Sequence, residues 1–183
     1  MKHIIFPTSF FFKYKAPNAD ELIQKANSYG EELINNEEFT WNNHNASDCI
    51  KLKWQDWIKL FQPTLELFSA ELKVNFKFHM YDPWLNLYKR GATQEVHDHF
   101  PCDFSLIFIV NDGPGFAKFF FMDRNSISLS AKFAELLKYH NRFEPELTTG
   151  DVLIFPSNQL HGVFPHGSDE IRRTIAINFD IIL

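Results

Sequence analysis

The stretch "FSLIFIVNDGPGFAKFFFM", residues 104–122, holds two short apolar runs rich in Phe and Ile, separated by Asn111, Asp112, Gly113, Pro114 and Gly115. β-Branched and aromatic residues suit a pleated, half-buried surface. The five residues between the runs are turn formers, each for its own steric or hydrogen-bonding reason. The stretch therefore reads as a buried strand over 104–110, a tight turn, and a strand that pairs back on the first as a hairpin. On its N-terminal side, Val74, Phe76, Phe78 and Met80 alternate with Asn75, Lys77, His79 and Tyr81, the period of a strand with one buried face. "PWLNLYKRG" (83–91) continues extended into a turn at Gly91. On the C-terminal side, strands resume at "DVLIFP" (151–156), "HGVFP" (161–165) and "IRRTIAINFDI" (171–181).

Helices come before the strands. "NADELIQKANSYGEELI" (18–34) pairs Asn18 with Glu21 in a capping-box pattern and places Leu22, Ala26, Tyr29 and Leu33 at helical spacing. A second helix is predicted from about Pro63, with Leu65, Phe68 and Leu72 on one face and Ile58 and Phe61 as a backward extension. A third, over 128–140, presents Leu129, Phe133, Leu136 and Leu137 and interrupts the strands. The N-terminal "MKHIIFPTSFFFKYK" predicts an edge strand and not a secretory signal, because Pro7, Thr8 and Ser9 break its apolar run and no small-residue cleavage site follows. Helices followed by about eight short strands define a mainly β fold with flanking helices, a jelly-roll sandwich of the cupin-like type.

The 183 residues, 45% hydrophobic and 22% charged, suit one domain spanning 1–183. A net charge of −5 without a run of Lys or Arg argues against nucleic acid as a partner. No run of roughly 18 apolar residues is present, so no membrane span is expected. The two cysteines, Cys49 and Cys102, form neither a disulfide framework nor a CxxC site, which suits a reducing cytoplasm.

The chemistry concentrates in "VHDHF" (96–100) and "FPSNQLHGVFP" (155–165). Strand residues two apart project to one face, so His97 and His99 can chelate a single metal while Asp98 points away. His161 offers a third imidazole at the start of another strand. Such a set suits a first-row divalent cation and leaves open positions for catalysis. Spacing alone favours the ordinary alternative, hydrogen-bonded or surface histidines at strand ends. His3, His44, His79, His140 and His166 lack a strand partner at i+2 and read as structural or exposed. In the last strand Arg172, Thr174, Ala176 and Asn178 share a face. A guanidinium and a hydroxyl turned into an apolar barrel are costly unless they meet a polar ligand, and Arg grips a carboxylate through two parallel hydrogen bonds. The alternative is a solvated face, since two adjacent arginines send one each way.

Taken together, "IFPTSFF", "WLNLYKRG", "HDHFPCDFS", "FFFMDR" with its Asp123–Arg124, "TTGDVLIFPSNQLHGVFP" and "RRTIAINF" resemble the double-stranded β-helix Fe(II)/2-oxoglutarate oxygenases. The similarity is to a bacterial and phage branch related to prolyl hydroxylases. The resemblance implies His97, His99 and His161 as Fe(II) ligands, Arg172 and Thr174 as the anchor for the far carboxylate of 2-oxoglutarate, and Asn86 and Tyr88 as further cosubstrate contacts. It implies O2 as co-reactant and hydroxylation of a C–H bond in a peptidyl or amino-acid substrate. The wider superfamily carries Asp or Glu where His99 stands. Asp98 is therefore the fallback ligand, one that would need a bulge to turn inward. Trp54, Trp57, Trp84 and the 128–140 insertion are the candidates to line an entrance. A cupin-like three-histidine dioxygenase without 2-oxoglutarate, and a non-catalytic jelly-roll binding module, are the alternatives.

Overall fold

The structure, a computed structural model, describes residues 9–30, 47–124, 131–136, 138 and 140–182. In chain order its elements are β1 (Phe12–Lys15), α1 (Ala19–Asn27), β2 (Asp48–Lys51), α2 (Trp54–Leu72), β3 (Lys77–Met80), β4 (Trp84–Tyr88), β5 (Gln94–His97), β6 (Phe104–Ile109), β7 (Phe119–Met122), α3 (Ala131–Leu136), β8 (Arg142–Phe143), β9 (Asp151–Pro156), β10 (His161–Val163) and β11 (Arg172–Ile182). They form a seven-stranded sheet in the order β1-β9-β6-β11-β4-β2, with β3 also paired to β11, and a four-stranded sheet in the order β5-β10-β7-β8. Every pairing is antiparallel.

Strand alternation sorts the large sheet into two buried faces. Leu85, Leu87, Leu106, Phe108, Val152, Ile154, Ile175, Ile177 and Phe179 pack in one cluster with Leu22 and Ala26 of α1 and Trp57, Phe61, Leu65 and Phe68 of α2. Phe68, fully buried, touches the rings of Phe12, Phe76, Phe104 and Phe179 edge-on. The intervening residues face the small sheet: Tyr88, Leu153 and Phe155 join Phe119, Phe121 and Val163 in a second cluster. The helices thus close one side of the large sheet and leave the other to form, with the small sheet, the interior of a double-stranded β-helix.

Several expectations need correction. The 104–122 hairpin does not form: β6 pairs with β9 and β11, while β7 pairs with β10 and β8. The turn carries the chain from one sheet to the other. The second helix begins at Trp54, which leaves Pro63 inside it. Asn18 precedes α1, yet its side-chain amide donates to the Leu60 carbonyl (3.0 Å) instead of capping the helix. α1 ends at Asn27, and residues 31–34 of the expected helix lie outside the described residues. Of the strand expected from Val74, only 77–80 pairs, and Val74 is exposed. The described strands number eleven. The N-terminal segment is an edge strand where it is described, since β1 pairs only with β9. His3 and His44 lie outside the described residues. Among the described residues, no helix is long and apolar enough to cross a membrane.

Candidate metal and cosubstrate site

Two histidine-bearing segments meet on the small sheet. β10 lies beside β5 with His161 directly opposite His97, which puts two imidazoles side by side on one face. β5 ends at His97, and His99 lies just beyond the strand, held by its backbone N–H donating to the Ser157 carbonyl (2.8 Å). One nitrogen from each of His97, His99 and His161 lies within 4.8 Å of the others. Their ring centroids are 4.3 Å (His97–His161), 4.8 Å (His97–His99) and 5.2 Å (His99–His161) apart.

Hydrogen bonds orient two of these rings. His97 Nδ1 lies 2.7 Å from the Glu95 carbonyl and His161 Nδ1 lies 2.8 Å from the Gln159 carbonyl. A carbonyl only accepts, so each Nδ1 carries the proton, which places the lone pair that can bind a cation on Nε2. Burial disfavours the charged form of all three. It lowers His97, pulls His161 well below the ordinary value with His97 and His99 adding to the effect, and brings His99 down to about 4 with help from His97. Three neutral imidazoles in one place are the form in which histidine binds metal. Phe119 and Phe155 wall His161 at 5.5 and 4.9 Å, and Trp84 stands 5.6 Å from His99.

Asp98 is turned away from this cluster. Its carboxylate forms an ion pair with Arg124, whose guanidinium also donates to the Asn158 carbonyl (2.8 Å).

On the large sheet, the registers Arg172↔Tyr88 and Thr174↔Asn86 align four polar residues on the inner face of β11 and β4. All four are buried, Arg172 with 4% of its surface exposed. The guanidinium lies over the Tyr88 ring at 4.9 Å, and the Tyr88 hydroxyl is hydrogen-bonded with Ser47, Arg172 and Thr174. Asn86 Nδ2 donates to Thr174 Oγ1 at 3.5 Å. Burial raises the Tyr88 pKa against the opposing pull of Arg172, and burial lowers that of Arg172. Among the described residues, Arg172 Nη1 has no hydrogen-bond partner. A buried guanidinium with a free N–H is an unfinished interaction that an anionic ligand completes. Arg173 takes the other direction and donates to the Tyr29 carbonyl (3.1 Å).

Sequence reading passed over the Asp98–Arg124–Asn158 link and Ser47. The Asp123–Arg124 pair was visible, although nothing in the spacing joined it to residue 98. Trp57 belongs to the helix-side core and not to an entrance, whereas Trp84 stands beside the histidines. His166, buried, accepts from the Ala117 N–H at Nδ1 (3.1 Å) and donates from Nε2 to the Glu170 carbonyl (2.7 Å), so it ties loops together.

Imidazoles and a guanidinium enclosed between the sheets of a double-stranded β-helix are the marks of a non-haem metal oxygenase scaffold. The chain belongs to the 2OG-Fe(II) oxygenases, whose family model matches residues 82–178, more than half of its length. This family uses Fe(II), 2-oxoglutarate and O2. No curated protein matches the sequence. Similar solved structures include a Pseudomonas putida prolyl-4-hydroxylase (TM-score 0.64, 16% identity, covering 94% of this chain and 93% of that one). A Trichoplax adhaerens prolyl hydroxylase in complex with a hypoxia inducible factor peptide fragment is also similar (0.65, 12%, 94% and 84%). So is HygX from Streptomyces hygroscopicus with nickel, 2-oxoglutarate and hygromycin B bound (0.63, 14%, 96% and 84%). At these identities the likeness is one of fold.

Proposed function

We propose that this chain, as a single domain over residues 1–183, hydroxylates a C–H bond of a peptidyl or amino-acid substrate. In this reading His97, His99 and His161 hold Fe(II), Arg172 and Thr174 receive the far carboxylate of 2-oxoglutarate, and Asn86 and Tyr88 complete the cosubstrate pocket. The observation that carries it is the unpartnered, buried Nη1 of Arg172 on the same interior as three neutral imidazoles. Bound Fe(II) and 2-oxoglutarate would supply the oxidising power, 2-oxoglutarate and O2 being converted to succinate and CO2 as the substrate is hydroxylated.

The chain contributes orientation and shielding. The Glu95 and Gln159 carbonyls aim Nε2 of His97 and His161, Arg172 and Thr174 set the depth of the dicarboxylate, and Phe119, Phe121 and Phe155 exclude water from the site. The prolyl hydroxylases among the similar structures support a peptidyl substrate, one of them having a peptide bound. The two free cysteines support a reducing, cytoplasmic setting. The all-histidine set favours one rival, a three-histidine dioxygenase that needs no 2-oxoglutarate.

Anaerobic titration with Fe(II) and then 2-oxoglutarate separates the two. The expected result is a metal-to-ligand charge-transfer band in the visible region that saturates with 2-oxoglutarate and is absent from His161→Ala. Folded protein that binds Fe(II) without developing the band supports the rival.

A further inference from the structure

The end of β7 touches both ligand-bearing segments. Met122 N–H donates to the Leu160 carbonyl (2.9 Å), and the Gln159 side-chain amide donates back to the Met122 carbonyl (2.9 Å). The Gln159 carbonyl in turn holds His161 Nδ1. Two residues beyond Met122, Arg124 bonds the Asn158 carbonyl and the Asp98 carboxylate together. One guanidinium therefore joins the residue between His97 and His99 to the turn that precedes His161. His99 lies past the end of β5 and has no strand pairing to hold it. Its backbone contacts are the Ser157 carbonyl and the Cys102 N–H, both in loops. A ligand on a loop needs external bracing to stay within reach of a cation shared with ligands on strands.

We propose that Arg124 is a positioning residue of the metal site, acting through Asp98 and the Asn158 carbonyl to hold the His97–His99 segment against the His161 segment. The pairing also gives Asp98 a definite role: it is a brace and not a ligand. This inference rests on the reading of the three histidines as a metal site.

Co(II) is the probe, because its visible ligand-field bands report donor type and geometry independently of turnover. Wild-type protein should bind one Co(II), and failure to bind would count against the metal site itself. With binding established, Arg124→Ala should weaken Co(II) affinity about 3- to 10-fold, below the usual range for partners of metal ligands because Arg124 is half exposed. Arg124→Lys keeps the charge and the donors but places its nitrogen differently on a shorter side chain, and should fall between. Asp98→Asn should weaken affinity to a similar degree while leaving the band positions unchanged, since no donor atom is lost. The double variant should be no weaker than either single one, because both break the same link. Unchanged affinity in Arg124→Ala, additive losses in the double variant, or shifted bands in Asp98→Asn would each overturn the proposal. Should Arg124→Ala fail to fold by far-UV circular dichroism, Asp98→Asn and Arg124→Lys still decide it.

Discussion

Arg172 is held at the expense of stability, and the proposed function gives that expense a purpose in ligand binding. Folding removes its charge from water and, among the described residues, returns the Tyr88 ring and hydroxyl and leaves Nη1 unpartnered. Arg172→Met should therefore raise the stability of the metal-free protein by about 1–3 kcal/mol in urea denaturation, since an apolar side chain of similar length needs no hydrogen bonds. The same variant should weaken 2-oxoglutarate binding by about 2–4 kcal/mol, or roughly 30- to 1,000-fold in Kd by calorimetry. A variant that loses stability, or keeps cosubstrate affinity, would show that the guanidinium serves the fold and not a carboxylate. The polar set on this strand was legible because alternation places 172, 174, 176 and 178 together whatever the fold. Alternation could not say whether that face or the Arg173 face lay inside.

Among the elements, β10 is tightly constrained. It carries His161 between β5 and β7, and Gly162 follows directly. A Cβ built at Gly162 would lie 2.8 Å from Phe120 Cζ and 3.0 Å from the Gln94 carbonyl oxygen. Backbone and a buried ring cannot both give way without moving a strand. Gly162→Ala should destabilise the protein by about 1–3 kcal/mol in urea unfolding, and should weaken metal binding by moving β10 off the register that sets His161 opposite His97. Wild-type stability in this variant would mean that β10 is looser than its packing indicates. β6 and β7 teach the converse lesson. Asp112 to Gly115 marked a tight turn correctly, as the Phe116 N–H to Gly113 carbonyl bond shows, but turn chemistry does not encode which sheet the next strand joins. That choice belongs to β10 and β8, which arrive later in the chain.

Across the whole molecule, the histidine cluster couples stability to pH. In the metal-free fold all three imidazoles resist protonation, His99 down to about 4, whereas in the unfolded chain they titrate near the ordinary imidazole value of 6.5. Between those limits the unfolded state binds more protons than the folded one, so stability rises with pH. The stability these groups contribute is present in full above the unfolded value and is lost as pH falls toward 4. The urea midpoint of metal-free protein should therefore drop steadily from pH 7.5 to pH 5, and His99→Ala should flatten that slope. A wild-type midpoint that is level across this range would contradict the neutral, desolvated cluster.

Local chemistry was enough to establish the β-rich character of the chain, the two-residue alternation on β4 and β11, and the presence of His97, His99 and His161 on segments able to meet. These follow from backbone geometry, which repeats every two residues regardless of distant partners. The pairing of His161 with His97, the inward turn of Arg172 in place of Arg173, and the diversion of Asp98 to Arg124 came from the assembled sheets. Both faces of the large sheet are covered, one by helices and the other by the small sheet, so burial does not tell them apart. Contacts between segments far apart in the chain decide which face becomes the interior.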